Sequence, residues 1–391
     1  MNRLTTAWGT HDLTRFPEDP RDQLRAWDAA DAYLLRHLAE TEALTGPETD
    51  GALVVALDRW GALTTALAAR RPVQISDSHL ARSATRANLA RAGLDDPEAA
   101  GVRLLTTRDT PPERIDVLLV RVPKSLALLE DQLHRLAPAL HPGTLVVGTG
   151  MVKEIHTSTL RLFERIVGPT RTSLAEQKAR LIHATVARRD RPAPSPWPLR
   201  YALPDGIGPM SGRTVTNHAG IFCADRLDVG TRFFLGQLPA PTGAARVVDL
   251  GCGNGVVGTA VARTSPEAEI VFVDESHQAV ASAEQTFRDN APDPERGTFL
   301  VTDGLDDPAA VADSSVDLVL TNPPFHSHQA VTDATARRMF AGARRVLRPG
   351  GELWVVANRH LGHHRQLRRL FGNCATVASD PKFVVLRAVK G

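Results

Sequence analysis

RVVDLGCGNG, residues 246–255, is the stretch on which the fold turns. A short apolar run carries Asp249 near its end and passes directly into Gly251, Gly253 and Gly255. Glycine permits positive φ and lets backbone come close to a ligand. A strand, this turn and the small apolar helix expected over residues 256–263 therefore place a crevice at the strand's carboxyl end. The spacing D-x-G-x-G-x-G departs from the dinucleotide fingerprint G-x-G-x-x-G. A pyrophosphate is a poorer fit here than a zwitterionic amino-acid group. Asp249 can meet an ammonium directly or through water, with Gly251, Cys252, Gly253, Asn254 and Gly255 as the cradle. A tight turn of purely structural purpose is the alternative.

Outward from this stretch, strand, turn and helix repeat. Strands are expected at 269–273 before Asp274, at 298–301 before Asp303, at 317–321 before Asn322, and at 352–357 and 382–389. Helices are expected at 279–290 and 332–347, the latter stopped by Arg348-Pro349-Gly350-Gly351. This alternation predicts an α/β fold with a parallel, doubly wound, Rossmann-like sheet. Upstream, residues 190–212 hold six prolines, which resist helix and central strand. A boundary near residue 195 follows, with domains 1–195 and 196–391 and a short hairpin after Trp197. The first half repeats the plan faintly. Residues 52–57 lead to Asp58 and Gly61, 73–76 to Asp77, and 116–120 to Val122-Pro123-Lys124; His141-Pro142-Gly143 precedes a strand at 145–147. Two tandem copies of one fold are predicted, the N-terminal one degenerate. Trp27, Asp28 and Asp31 are expected to cap that first domain.

Asp274 closes the strand after the glycine loop, where a carboxylate can accept from both hydroxyls of a ribose; Glu275 is grouped with it. A helix N-cap is the alternative, although Ser276 suits that role better. Asp303 can accept from an adenine amino group or simply make a turn. Asn322-Pro323-Pro324-Phe325 follows a strand on the same crevice. Its prolines stiffen the loop and remove N–H donors. The Asn322 side-chain oxygen and the Pro323 carbonyl can then each accept one hydrogen of an –NH₂ group. Phe325 offers a face for a base, worth about 1–3 kcal/mol in single-strand binders. The alternative is a rigid turn before a helix. Asn217, His218 and Phe222 either cover the amino-acid end of a ligand or form a packing lid. His326 and His328 flank the loop. His360, His363 and His364 lack a carboxylate partner, so no metal site is read there.

DLGCGNG, VFVDES, TNPPFH and NHAGIFCADRLDVGTRFF together resemble the class I amino-methyltransferases with an N-P-P-[FY] loop. With QLRAWDAADAYLL, VRVPKSLALLEDQL, EIHTSTLRLFERIVGPT and VANRHLGHHRQLRRLFGNCATVASDPKFVVLRAVK, the resemblance narrows. From about Phe16 to the C-terminus the chain is similar to the RlmG family of bacterial 23S rRNA guanine-N2 methyltransferases. That family shares its degenerate first domain with the RsmC family. The resemblance implies S-adenosyl-L-methionine as cofactor, held by Asp249, Gly251, Gly253, Asp274 and Asp303. It implies a target guanine at Asn322 to Phe325, in 23S rRNA that is protein-free or partly assembled. Trp60 in place of loop glycines would crowd a pocket in the first domain, and Lys124 offers no amide oxygen. That domain is expected to bind no cofactor and either to hold RNA or to brace its partner. The same loop also serves 16S rRNA guanine-N2, adenine-N6 and protein glutamine-N5 methylation, and a non-catalytic rRNA-binding assembly factor is a further reading.

The chain has 391 residues, enough for two cores, and 42% of them are hydrophobic. No apolar run is long enough to span a bilayer, and the first fifteen residues lack a signal core, so a cytoplasmic monomer without membrane contact is expected. Cys223, Cys252 and Cys374 lie far apart and form neither a disulfide framework nor a zinc spacing. A formal net charge of +2 does not by itself imply nucleic acid. Arginines do cluster at 337–348 and 359–369, either for phosphate or as a solvated helix face.

Overall fold

The computed structural model describes residues 3–18, 22–44, 50–187, 194–324 and 329–391. The chain divides into two compact units, Met1–Pro196 and Trp197–Gly391. In the first, a hairpin of β1 (Arg3–Thr6) and β2 (Gly9–Asp12) precedes α1 (Ala29–Glu40). There follow β3 (Ala52–Ala56), α2 (Ala62–Ala66), β4 (Val73–Ser76), α3 (His79–Arg91), β5 (Arg103–Thr106) and β6 (Ile115–Arg121). The unit ends with α4 (Leu126–Leu136), β7 (Leu140–Met151), α5 (Thr157–Ile166), β8 (Thr170–Thr172) and β9 (Ala179–Ala184). The second unit opens with the expected hairpin, β10 (Leu199–Ala202) and β11 (Thr214–Asn217), then α6 (Val229–Leu235). Next come β12 (Arg246–Leu250), α7 (Val256–Thr264), β13 (Glu269–Asp274), α8 (His277–Asn290), β14 (Gly297–Val301) and β15 (Val316–Thr321). Last are α9 (Gln329–Val346), β16 (Leu347–Asn358), α10 (His363–Phe371), β17 (Ala375–Ser379) and β18 (Phe383–Val389).

Each unit holds a seven-stranded sheet, β5-β4-β3-β6-β7-β9-β8 in the first and β14-β13-β12-β15-β16-β18-β17 in the second. Position for position the two orders coincide, the signature of tandem copies. In both, the order reverses beside the first strand of the sheet, at β3/β6 and β12/β15, which is where α/β sheets open a ligand crevice. The second-unit strands are apolar on both faces because helices cover both. Val247, Ile270, Phe272, Leu318 and Leu320 pack with Ala260, Val261, Ala283 and Phe287 on one side. Val248, Val271, Val273, Val319 and Leu353 pack with Phe340, Ala343, Leu367 and Phe371 on the other. The period of two is the strand's own, and each large buried side chain stabilises by about 1.5–3 kcal/mol.

Two expectations change. The sheet is mixed rather than all parallel, because β18 runs antiparallel to both β16 and β17. A tight turn forces this: Asp380 Oδ1 accepts from the backbone of Lys382 at 2.7 Å and makes β17–β18 a hairpin. The sequence reading passed over β17 because ATVAS lies at the sheet edge, mostly exposed, and has no apolar run. Arg348-Pro349-Gly350-Gly351 does follow the end of α9 but belongs to β16. Leu347 pairs with Val316 and Glu352 with Leu318, so the intervening residues bulge out of the ladder. His141-Pro142-Gly143 sits in the same kind of break, between the pairs Ile115–Leu140 and Val117–Leu145. Among the described residues, no helix is long and apolar enough to cross a membrane.

Candidate functional site

The loop after β12 is tied to β13 by its own backbone. Gly251 and Cys252 donate to the Val273 carbonyl at 2.8 and 3.1 Å, and Gly253 donates to Asp274 Oδ2 at 3.0 Å. Gly251, Gly253 and Gly255 all have positive φ. At Gly255 a side chain is excluded outright, since a Cβ would lie 2.8 Å from the Ala283 Cα of α8. At Gly253 a Cβ would meet nothing within 4 Å, so this edge of the loop is open. Asp249 is buried, and its Oδ2 accepts from the Gly258 N–H at 2.8 Å, in the first turn of α7. No described residue bonds its other oxygen. Burial pushes the Asp249 carboxyl up to about 7, and the neighbouring Asp274 charge adds to this against the Gly258 hydrogen bond. Burial also raises Asp274, whose oxygens accept from Gly253 and Ser276. The N-cap of α8 is Ser276, whose hydroxyl accepts from Ala279, which leaves the Asp274 side chain to the loop. Cys252 is buried, its thiol raised well above the usual range by that burial.

Asn322 lies one residue beyond the Leu250–Thr321 pair, beside the start of the glycine loop. Thr321 Oγ1 donates to the Leu250 carbonyl at 2.7 Å and pins the two strand ends together. The Asn322 Nδ2 donates to Asp228 Oδ2 at 3.2 Å and to Thr231 Oγ1 at 2.9 Å. Asp228 is the N-cap of α6 and also accepts from the Thr231 N–H. With its amino end held this way, the amide has one orientation. Its Oδ1 is buried without a hydrogen-bond partner among the described residues. A buried acceptor left unpaired costs about 1–3 kcal/mol, a cost that a donor brought to this oxygen would remove. Asp228 and Thr231 went unremarked in the sequence reading; the signal present was Asp, two residues, then Thr before an apolar run, an N-cap pattern.

Other singled-out residues fall around this pair. Asn217 Oδ1 accepts from Asn254 Nδ2 at 2.9 Å, which joins the hairpin to the glycine loop. The His218 N–H donates to Ser282 Oγ, and Phe222 is 55% exposed. Asp303 follows β14 next to Asp274, and the Arg338 guanidinium of α9 holds its carboxylate. Glu275 is half-buried beside Asp274, and Pro323 is buried while Pro324 is exposed. Phe325, His326 and His328 lie outside the described residues. No cluster of three metal-ligating side chains occurs among the described residues.

The first unit carries the same framework with different chemistry. Asp58 Oδ2 accepts from Thr64 N–H at 2.9 Å, as Asp249 does from Gly258, and a Cβ at Gly61 would lie 2.6 Å from Thr85 Cα, as one at Gly255 would crowd Ala283. Three loop residues fewer separate Asp58 from Gly61 than Asp249 from Gly255. The strand registers also correct one correspondence. Pairing places Val120 where Thr321 stands, so Arg121-Val122-Pro123 occupies the place of Asn322-Pro323-Pro324, one residue earlier than the sequence comparison assigned. Arg121 is fully buried. Its guanidinium meets Asp28 Oδ2 at 2.6 Å, Asp31 Oδ1 at 3.2 Å and Glu154 Oε2 at 3.1 Å. Asp28 caps α1 as Asp228 caps α6, with Asp31 in the place of Thr231. Trp60 lies under the Arg15 guanidinium, 5.0 Å from its ring centre.

Fold and site define a Rossmann-like methyltransferase in the second unit. Residues 1–188 match the RLMG N-terminal domain family and residues 212–387 the methyltransferase small domain family. The chain belongs to the family of ribosomal RNA large subunit methyltransferase G. It is 72% identical to the member so named from Streptomyces avermitilis, over 99% of both chains. It is 46% identical to that from Aeromonas salmonicida and 47% to that from Pseudomonas aeruginosa PAO1, again over nearly the full length of both. A solved structure of similar fold is the T. thermophilus 16S rRNA N2 G1207 methyltransferase RsmC in complex with AdoMet and guanosine. It matches with TM-score 0.74 and 22% identity, covering 100% of this chain and 97% of that one.

Proposed function

We propose that this protein transfers the methyl group of S-adenosyl-L-methionine to the exocyclic N2 of a guanine in 23S rRNA. The observation that carries the reading is the buried, unpartnered Asn322 Oδ1 beside the glycine loop. Family membership supports the same chemistry. The open edge at Gly253 and the free oxygen of Asp249 fit the methionine end of the cofactor, and Asp274 fits its ribose. When bound, the cofactor supplies an electrophilic methyl on a sulfonium. The chain does the rest by positioning. Asn322 Oδ1 and the Pro323 carbonyl each accept a hydrogen from the amino group, which aims the nitrogen lone pair away from them. Holding both partners in line supplies much of the acceleration. No strong base is required, because the nitrogen becomes acidic only as its new bond forms. The N2 edge is blocked in paired RNA, so protein-free or partly assembled 23S rRNA is the expected substrate for a cytoplasmic monomer. The first unit either holds the RNA or braces the second.

Incubation with labelled cofactor and, separately, protein-free 23S rRNA, 16S rRNA and a peptide release factor tests this. Label is expected in 23S rRNA as N2-methylguanine after digestion and mass mapping. Label confined to another substrate, or to adenine, overturns the assignment.

Asp249 makes cofactor affinity depend on pH. With the free protein's carboxyl at about 7, binding an ammonium beside it must displace a proton below that pH. Affinity should therefore be about tenfold weaker at pH 6 than at pH 8, measured by calorimetry. A flat profile would remove Asp249 from the ammonium.

A further inference from the structure

Arg337, Arg344, Arg365, Arg368 and Arg369 are exposed, and none makes an ion pair or side-chain hydrogen bond with a described residue. All five lie on α9 and α10, which cover one face of the second unit's sheet and pack together, the Phe340 ring edge-on to His363 at 5.3 Å. The other arginines of α9 are spent internally. Arg338 holds Asp303 and Asp306, and Arg345 holds Asp313 and the carbonyls of Leu305 and Val311. Arg337 and Arg344 each stand one residue before these, two turns apart, so they share a line about 10 Å long. On α10, Arg365, Arg368 and Arg369 share one face at i, i+3 and i+4, opposite buried His363, Leu367 and Phe371. The sequence of α10, HHRQLRRLF, has no carboxylate. Neighbouring guanidiniums repel one another, and among the described residues no carboxylate pairs with these five to offset that. Their planar forks match phosphate oxygens. The helix α9 begins seven residues after Asn322 and runs back along the sheet to the start of β15, where Ser314 and Ser315 donate to the Arg345 and Val346 carbonyls, so the surface extends away from the sheet end that carries the amide acceptor.

We propose that this α9–α10 surface grips the phosphate backbone of the RNA flanking the target base. The inference rests on the rRNA reading above. Its test compares the full-length protein with R365A/R368A/R369A and, independently, R337A/R344A, binding protein-free 23S rRNA fragments across a salt series. For the triple variant, affinity at 150 mM salt should fall at least about tenfold, and the slope of log K against log salt should lose up to about 2, at roughly 0.7 per phosphate contact. The KM for RNA should rise while kcat and cofactor affinity hold, and lysine replacements should restore most of the binding. The double variant removes no buried group and guards against a folding artefact. Unchanged affinity and slope in both variants, with wild-type binding intact, would overturn the surface alone. If the wild-type protein bound no rRNA, the rRNA reading itself would fail.

Discussion

Replacing Asn322 by alanine lowers methyl transfer by about 10²–10³-fold while cofactor affinity stays within about twofold, the scale seen when one preorganised transition-state partner is removed from a closed site. The structure says why the loss falls on kcat. The amide makes its internal bonds through Nδ2 alone, to Asp228 and Thr231, and its Oδ1 has no described partner to lose. Alanine therefore removes the acceptor and vacates two bonds that Asp228 and Thr231 also make with each other. Tm should move by no more than about 2–4 °C. Asn322→Asp is the sharper variant. It keeps an oxygen but loses the donor that faces Asp228, setting two carboxylates side by side. Activity should fall as far as in the alanine variant, because the remaining oxygens are no longer oriented. Initial rates with labelled cofactor, set beside calorimetric cofactor affinities, check both. An alanine variant with wild-type kcat would mean that the amide only stiffens a turn.

What was legible in the sequence follows from which interactions are local. The strands of the second sheet announced themselves because helices bury both faces, leaving continuous runs such as DLVLT and EIVFV. The glycine loop was legible because positive φ and close approach leave little choice of residue. The edge strand β17 was not, since a mostly exposed pentapeptide carries no burial pattern. Nor was the hold on Asn322. Its partner Asp228 is ninety-four residues upstream and looks, locally, like any helix cap. Arg121 escaped notice for the opposite reason: an arginine ending an apolar strand reads as surface, and only the folded chain brings three carboxylates around it. The one-residue offset between Arg121-Val122-Pro123 and Asn322-Pro323-Pro324 had the same origin. Reading Val122-Pro123-Lys124 against Asn322-Pro323-Pro324 matched Pro123 to Pro323, whereas strand pairing places it at Pro324.

Replacing Arg121 by methionine should cost the first unit about 3–5 kcal/mol, because buried Asp31 and the half-buried Asp28 and Glu154 lose their counter-charge. The cluster holds two cations, Arg121 and Arg59, against Asp28, Asp31 and Glu154. Burial pushes the Asp31 carboxyl up to about 7 even with Arg121 pulling the other way, and Asp28 and Asp58 add to the rise. Burial also works against the Glu154 carboxylate, but the Arg59 and Arg121 guanidiniums overcome it and hold that carboxyl down to about 2. Without Arg121, Asp31 and Glu154 both shift upward. A carboxyl whose folded pKa exceeds its unfolded value binds protons more tightly in the native state, so stability falls as pH rises between the two. The deficit should therefore be smaller at pH 5 than at pH 8. R121M/D31N should recover part of it at pH 8, since one buried charge is removed with its partner. Urea unfolding at both pH values measures this. The consequence for function comes from position. Arg121 stands where the second unit keeps Asn322, with Asp28 and Asp31 where Asp228 and Thr231 hold that amide. One unit fills the place with its own cation and the other leaves an acceptor open, so the two copies of one framework differ in whether the crevice is closed by the chain itself. A variant equally stable at both pH values and within 1 kcal/mol of wild type would show that the cluster does not hold the first unit together.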